Sequence, residues 1–348
     1  MKSIKDFNVK GKRILVRCDF NVPLDESGNI ADDFRIKKSL PTIEYLIQNK
    51  AKIILMSHLD NPDSAVTSNL NVIKRRLEEL LTVTIKKTND CVGVEVEEQV
   101  KLLNEGEILL LENIRFHKEE FDNDERFAKN LAKLGDIYIN EAFSNSHRPH
   151  ASMIGIPKYL PCGAGFLLEN EIKNLNRILK NPIRPLITLV GGQNVKSKVK
   201  FIDRILKIAD LVIISGLIKK EIMKKLRYRF SKKILGPQDN LGALDINEKT
   251  MEIFGKKILS ARTILWNGPF GKFEDESYKK GTLAIAKAII ESRAFSVIGG
   301  GETVEFLSRE GLLLSFSHVS TGGGAMLAYL SGEKLPGLEV LEKYATHS

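Results

Sequence analysis

No run of apolar residues in this 348-residue chain approaches the roughly 18–20 needed to cross a bilayer, so a helical membrane protein is not expected. The opening MKSIKDFNVKGKR has basic residues with no apolar segment behind them, which argues against a secretory signal. Cysteine is scarce. Cys18, Cys91 and Cys162 are odd in number and far apart, which argues against a disulfide framework or a cysteine zinc site and suits a reducing cytoplasm. Internal repeats, coiled-coil runs and low-complexity stretches are missing. Without an exposed heptad pattern a monomer is expected. GxGxxG and GxxxxGK followed by Ser or Thr are also missing, so a standard dinucleotide or Walker-type site is not expected.

What the chain has is ordinary for a globular protein: 43% hydrophobic and 28% charged residues. Its length exceeds the usual single domain, so two are expected. The net charge of +9 suits a protein that gathers anions, whether small substrates or nucleic acid. Part of the excess lies in 219–233 (KKEIMKKLRYRFSKK), read as a solvated helix face. No aromatic stacking pattern accompanies it, so nucleic acid is not an expected partner.

Short β-branched runs alternate with helical patterns almost throughout. Strands are expected at 14–18, 53–57, 108–111 and 137–140, then at 186–190, 211–215, 263–266 and 295–298. Helix-period segments include 36–47, 72–81, 124–134, 166–180 and 282–292. Continuous apolar strands alternating with helices predict an α/β protein of two doubly wound, parallel-sheet (Rossmann-like) domains with a cleft between them. The expected boundaries are 1–165, a connecting helix at 166–180, and 181–334.

In open parallel sheets ligands bind at the carboxyl ends of the strands. In the first half those ends carry Asp19, Asn21, His58, Arg115 and Arg148, with Arg35 at a helix start. Arginines beside Asn and His suit a small ligand bearing phosphate and carboxylate groups. His147 and His150 have HxxH spacing but no third metal ligand nearby in sequence, and His117 and His318 read as structural. In the second half three glycine-rich turns each follow a strand and open a helix: Gly191 and Gly192, residues 299–301 (GGG), and residues 322–324 (GGG). Glycines let backbone N–H groups and a helix N-terminus approach a phosphate closely. One half gathers a small phosphorylated acid and the other a nucleotide, which is the layout of a small-molecule kinase. Phosphoryl transfer asks mainly for positioning and charge stabilisation, so no nucleophile–base pair is required.

At these residues the chain resembles the phosphoglycerate kinase family along nearly its whole length, as a divergent and shortened member. The matching motifs are VRCDFNVPL, IADDFRIKKSLPTI, ILMSHL, LLENIRFHKEE, GDIYINEAFSNSHRPHAS, AGFLLENEI, ILWNGPFGKFE, VIGGGET and SHVSTGGGA. The resemblance implies reversible phosphoryl transfer between 1,3-bisphosphoglycerate and Mg-ADP, giving 3-phosphoglycerate and ATP in glycolysis, in the cytoplasm. It also implies a C-terminal tail, 335–348, returning to the first domain. By motif, Asp19, Asn21, Arg35, His58, Arg115 and Arg148 would hold the phosphoglycerate. Gly191, Lys198, Glu274, Gly299, Gly300, Gly301, Thr303, Gly322 and Gly323 would hold ADP or ATP. Glu302 would meet Mg²⁺ through the nucleotide, and Arg35 and Lys198 would be catalytic.

The departures gather where chemistry is expected. Asp60, Asn61 and Pro62 stand where the family has Gly-Arg-Pro, so one substrate arginine is gone. Asn194 replaces the lysine expected at the transferring phosphoryl group, a degenerate catalytic position. A two-residue shift would instead offer a Lys196 and Lys200 pair. Glu302 replaces Asp, Ser215, Gly216 and Leu217 replace an adenine-side GGG, and the segment before NLGALD is short by a few dozen residues. Three readings stay open: a slow phosphoglycerate kinase, a non-catalytic ligand-binding relative, and a nucleic-acid-binding protein.

Overall fold

The computed structural model describes residues 1–60, 69–238 and 240–344. Asn61 and Pro62 lie outside the described residues, as does the side chain of Lys196. The chain divides into two compact units: Met1–Glu171 with the stretch from Lys334 onward, and Ile172–Glu333. The division falls within the helix Phe166–Lys180.

The first unit is built on β1 (Arg13–Arg17), β2 (Lys52–Met56), β3 (Ile85–Lys87), β4 (Ile108–Leu110), β5 (Ile137–Asn140) and β6 (Cys162–Ala164). They form one parallel sheet in the order β3-β4-β2-β1-β5-β6. The central strands bury both faces: Ile14, Leu15, Val16, Ile53, Ile54 and Leu55 are all sealed from solvent. That explains their continuous apolar runs. The reversal between β1 and β5 is the switch point of such sheets, and β1 ends directly below Asp19. The helix Phe34–Gln48 begins at Asp33, which puts Arg35 in its first turn. C-terminal residues belong to this unit: Leu338 and Leu341 are buried, and the Gly337 N–H donates to Ser146 O at 2.9 Å.

The second unit holds β7 (Leu186–Val190), β8 (Leu211–Ile214), β9 (Ile234–Leu235), β10 (Thr263–Asn267), β11 (Phe295–Gly299) and β12 (His318–Val319). They too form a parallel sheet, in the order β12-β11-β10-β7-β8-β9. All the anticipated strands are present, displaced by at most a residue at their ends. The four edge strands were not anticipated. β3, β6, β9 and β12 have two or three residues each, too few for a pattern to register.

One expectation needs correcting. The basic stretch 219–233 keeps its basic side chains largely exposed but does not lie on one helix face. It divides into the helices Gly216–Ile222 and Leu226–Arg229. In the second of them Tyr228 turns inward: it is 1% exposed, and its hydroxyl donates to Asp203 Oδ1 at 2.7 Å. No helix among the described residues is long and apolar enough to cross a membrane.

Candidate active site

The carboxyl ends of β1, β2 and β5 bring the first group of expected residues together. Asp19 follows β1 and is 4% exposed. Its Oδ2 accepts from Arg35 Nη1 at 2.8 Å and from the Ser144 hydroxyl, while Oδ1 accepts the Asn21 N–H at 3.1 Å. Arg35 Nη1 also donates to Asn21 O at 3.1 Å, which fixes the guanidinium over the basin. Asp19 therefore holds Arg35 in place over the basin. Arg115 is 95% enclosed (5% exposed side chain), and its Nε and Nη2 are buried without a protein acceptor among the described residues. Arg148, after β5, lies close enough that Arg115 and burial together depress its pKa, burial being the larger cause.

His58 sits at the centre. Burial, followed by the fields of Arg17, Arg115, Arg148 and Arg35, holds its pKa well below the ordinary imidazole range. Arg17 Nη2 lies 3.1 Å from His58 Nδ1. A guanidinium can only donate, so Nδ1 accepts and the ring proton stands on Nε2, facing the basin. Arg17 is completely buried. Its Nε donates to Ser152 Oγ at 2.9 Å, and Ser152 Oγ donates to Glu120 Oε1 at 2.6 Å. This Arg17–Ser152–Glu120 relay lies under the basin and was not expected from sequence. The signal was there in Arg17, a charged residue ending an apolar strand run.

Asp60 is also at this site. It donates its backbone N–H to Asn21 Oδ1 at 3.0 Å and accepts from Asn21 Nδ2 at 3.3 Å and from Arg115 Nη1. Its Oδ2 lies 3.9 Å from His58 Nε2. His147 and His150 join no metal-ligating cluster among the described residues. The group that does come together, Asp90, Cys91 and His117, is explained by the 2.7 Å His117 Nε2 to Asp90 Oδ1 bond and by a buried thiol whose pKa burial raises.

In the second unit the turn after β7 is pinned from the turn after β10. The Gly191 N–H donates to Asn267 O at 2.9 Å and the Gly192 N–H to Pro269 O at 2.7 Å. Gly192 has φ +76°, and a Cβ there would stand 2.8 Å from both Glu302 Oε2 and Lys198 Nζ. A Cβ there would push the ends of both charged side chains aside. Lys198 is buried, donates to Gly191 O, and has its pKa lowered by burial against the opposing pull of Glu302. Lys200 points elsewhere, 79% exposed and paired with Glu333 at 3.0 Å. Asn194 is exposed at the entry to the helix Val195–Ile208.

Gly299, Gly300 and Gly301 carry the chain from β11 into the helix Gly301–Arg309. Thr303 is fully buried and accepts the Gly268 N–H at 2.8 Å, so its hydroxyl braces the turn. Gly322 and Gly323 follow the neighbouring strand β12 and open the helix Gly324–Leu330. Gly192, Glu274 and Glu302 line an open groove of about 600 Å³, together with Ser215, Leu217 and Leu244. The groove does not include Gly299, Gly300, Gly301, Gly322 or Gly323. Lys272 lines it and was missed, although it stands inside the WNGPFGKFE motif.

An arginine basin at the strand ends of one parallel sheet, and glycine turns around a lysine and a carboxylate on another, define a doubly wound protein that handles phosphorylated anions. The chain belongs to the phosphoglycerate kinase family, whose sequence model ("Phosphoglycerate kinase") matches residues 4–241 and 227–333. It is 39% identical to the phosphoglycerate kinase of Borrelia garinii subsp. bavariensis over 392 aligned positions, covering 99% of this chain and all of that one. The corresponding protein of Dictyoglomus turgidum is 40% identical over 388 positions, covering 97% and 98%. Among solved structures, phosphoglycerate kinase from Pyrococcus horikoshii superposes with a TM-score of 0.89 at 32% identity, covering 99% of each chain. That of Coxiella burnetii gives 0.83 at 31%, covering 99% and 100%. An alignment of 392 positions against 348 residues leaves at least 44 positions of the relative without a counterpart here. The two matched stretches of the family model overlap at 227–241, within the segment expected to be short.

Proposed function

We propose that this chain is a phosphotransferase of the phosphoglycerate kinase type, exchanging a phosphoryl group between 1,3-bisphosphoglycerate and ADP to give 3-phosphoglycerate and ATP. The observation that carries the reading is the basin around His58, where three arginines meet a neutral histidine with its N–H turned outward. Arg35, Arg115 and Arg148 hold phosphate and carboxylate oxygens, and the Nε and Nη2 of Arg115, without an acceptor among the described residues, suit a bidentate contact. Asn21 and His58 add neutral hydrogen bonds, and Arg17 positions His58.

On the nucleotide side Gly191 and Gly192 give phosphates close access to backbone, and the N-termini of the helices Val195–Ile208 and Gly301–Arg309 favour negative charge there. Lys198 supplies the buried cation. The donor set fits Mg²⁺ carried by the nucleotide, because Mg²⁺ takes one or two carboxylates and keeps phosphate and water oxygens for the rest. Glu302 is such a carboxylate, in space that Gly192 leaves clear beside Lys198. When bound, the ion neutralises phosphate charge. Asn194 in place of a second cation lowers the rate by about 10²–10⁵, by analogy with lost transition-state donors and arginine fingers. The enzyme is therefore slow, and membership of this family supports a cytoplasmic location.

A second reading, a relative that binds ligands without turning them over, is favoured by Asn194 and by the exposed apolar groove residues Leu217 and Leu244. ATP formation in a coupled assay, with calorimetric titration of 3-phosphoglycerate and ATP, separates the two. Turnover at any enzyme-dependent rate supports the kinase. Binding of both ligands without turnover supports the second reading, and binding of neither refutes both.

A further inference from the structure

We propose that Asp60 is an internal competitor for the substrate anion, a carboxylate of the protein seated where a phosphoglycerate oxygen would otherwise lie. This rests on the reading of the basin given above. Asp60 engages three of the residues assigned there to the substrate: it accepts from Arg115 and from Asn21, and it approaches His58 Nε2 to 3.9 Å. Its backbone N–H holds the other end of the same Asn21 amide at 3.0 Å, so Asn21 is satisfied at both its oxygen and its nitrogen. An incoming anion meets donors that are already taken.

The pair is unequal in a way that makes displacement the natural step. The Arg115 side chain is 5% exposed and cannot follow its partner outward, whereas Asp60 is 47% exposed and can swing into water. After displacement the buried guanidinium would lack a counter-charge, a state that is costly unless another anion replaces the first. The ligand therefore exchanges with the carboxylate instead of filling a vacant position. Arg115 retains two buried nitrogens without a protein acceptor among the described residues. Those free donors are what an external anion gains beyond what Asp60 already provides. Because Asp60 is tethered, its effective concentration at Arg115 is high, and it sets a threshold that a ligand with few contacts does not pass. An added unfavourable element of this kind acts by discrimination against weak competitors as well as by lowering affinity overall.

The test is calorimetric titration of 3-phosphoglycerate into the full-length wild type and into D60N and D60E, with a thermal melt of each as a control on folding. Asn keeps the size and the backbone contact but removes the charge, so D60N is expected to bind 3-phosphoglycerate about tenfold or more tightly than wild type. Glu keeps a carboxylate within reach of Arg115, so D60E is expected to stay close to wild type. Equal affinity in wild type and D60N, weaker binding in D60N, or an equal gain in D60E would each overturn the competitor while leaving the basin reading intact. Absence of 3-phosphoglycerate binding in all three proteins, each with a cooperative melt, would instead refute the basin reading and the competitor with it.

Discussion

Glu141 stands one residue beyond β5 and is completely buried, and burial raises its pKa from 4.5 to about 8. It joins two helices. Its Oε1 accepts from Thr42 Oγ1 at 2.7 Å and from the Leu167 N–H at 3.1 Å, while Thr42 Oγ1 accepts the Phe166 N–H at 2.9 Å. The helix that carries Arg35 is thereby tied to the first turn of Phe166–Lys180. Oε2 has no hydrogen-bond partner among the described residues, and a Cβ on Gly165 would stand 1.9 Å from it, so the acid is held in a closely fitted slot. With the folded pKa above the unfolded one, this group's contribution is fully present below pH 4.5. It is lost progressively as pH rises, and is gone above about pH 8. Over that window the loss is about 1.4 kcal/mol per pH unit, so at pH 7 the carboxyl has given up about 3 kcal/mol. Glu141→Gln keeps the acceptor for Thr42 and Leu167 and removes the titration. Its buried amide N–H groups add a fixed offset, so the diagnostic is the pH dependence and not the absolute stability. Thermal melts of wild type and E141Q at pH 5, 6, 7 and 8 should show the variant gaining on wild type at each step. At about 2–4 °C per kcal/mol for a unit of this size, the gain between acid and pH 7 is about 6–12 °C. A difference in melting temperature that stays constant across those pH values would refute the assignment of a raised Glu141 pKa.

Asn194→Lys should raise the rate of ATP formation at least about tenfold while leaving 3-phosphoglycerate affinity nearly unchanged, as expected of a cation that acts in the transition state. No gain in the coupled assay would move the defect from Asn194 to the shortened groove. Gly192→Ala should weaken ATP binding at least about tenfold by calorimetry, since its Cβ collides with both Glu302 and Lys198. The left-handed backbone there adds about 1–2 kcal/mol of strain, visible as a lower melting temperature. Unchanged ATP affinity in G192A would remove that turn from the nucleotide site.

The parallel sheets were legible because buried strands read as continuous apolar runs, and the strand ends of β1, β2 and β5 could be named from them. The edge strands were not, since β9 and β12 have two residues each and owe their extended form to a neighbour. Among side chains, the basin arginines were visible as residue types beyond strand ends and at a helix start. Their supports were not, because they are contacts across the chain: Arg17 meets Ser152 across 135 positions and Thr42 meets Glu141 across 99. Asp60 was legible as a departure from the family's Gly-Arg-Pro, but its placement on Arg115 depends on a residue 55 positions away. The basic run at 219–233 misled because charge periodicity gave no sign that Tyr228 would turn inward to Asp203.

The lysine register shows how burial decides what spacing leaves open. A Lys196 and Lys200 pair and an Asn194 and Lys198 pair have the same four-residue separation, so helix geometry treats them alike. Lys200 is 79% exposed and spends its charge on Glu333, whereas Lys198 is buried at the Gly191 carbonyl beside Glu302. A cation is useful at a transferring phosphoryl group only where water is excluded and the charge is aimed in advance. Lys198 meets the first condition, and Asn194 marks the position where a second such charge is missing. Burial lowers the pKa of Lys198, and a nucleotide phosphate beside it would favour the charged form again. The ammonium already donates to Gly191 O, so only its remaining protons are available to a phosphate. One lysine must then brace the turn and neutralise the ligand together, which is the physical reason for expecting a slow enzyme that a second lysine at position 194 would accelerate.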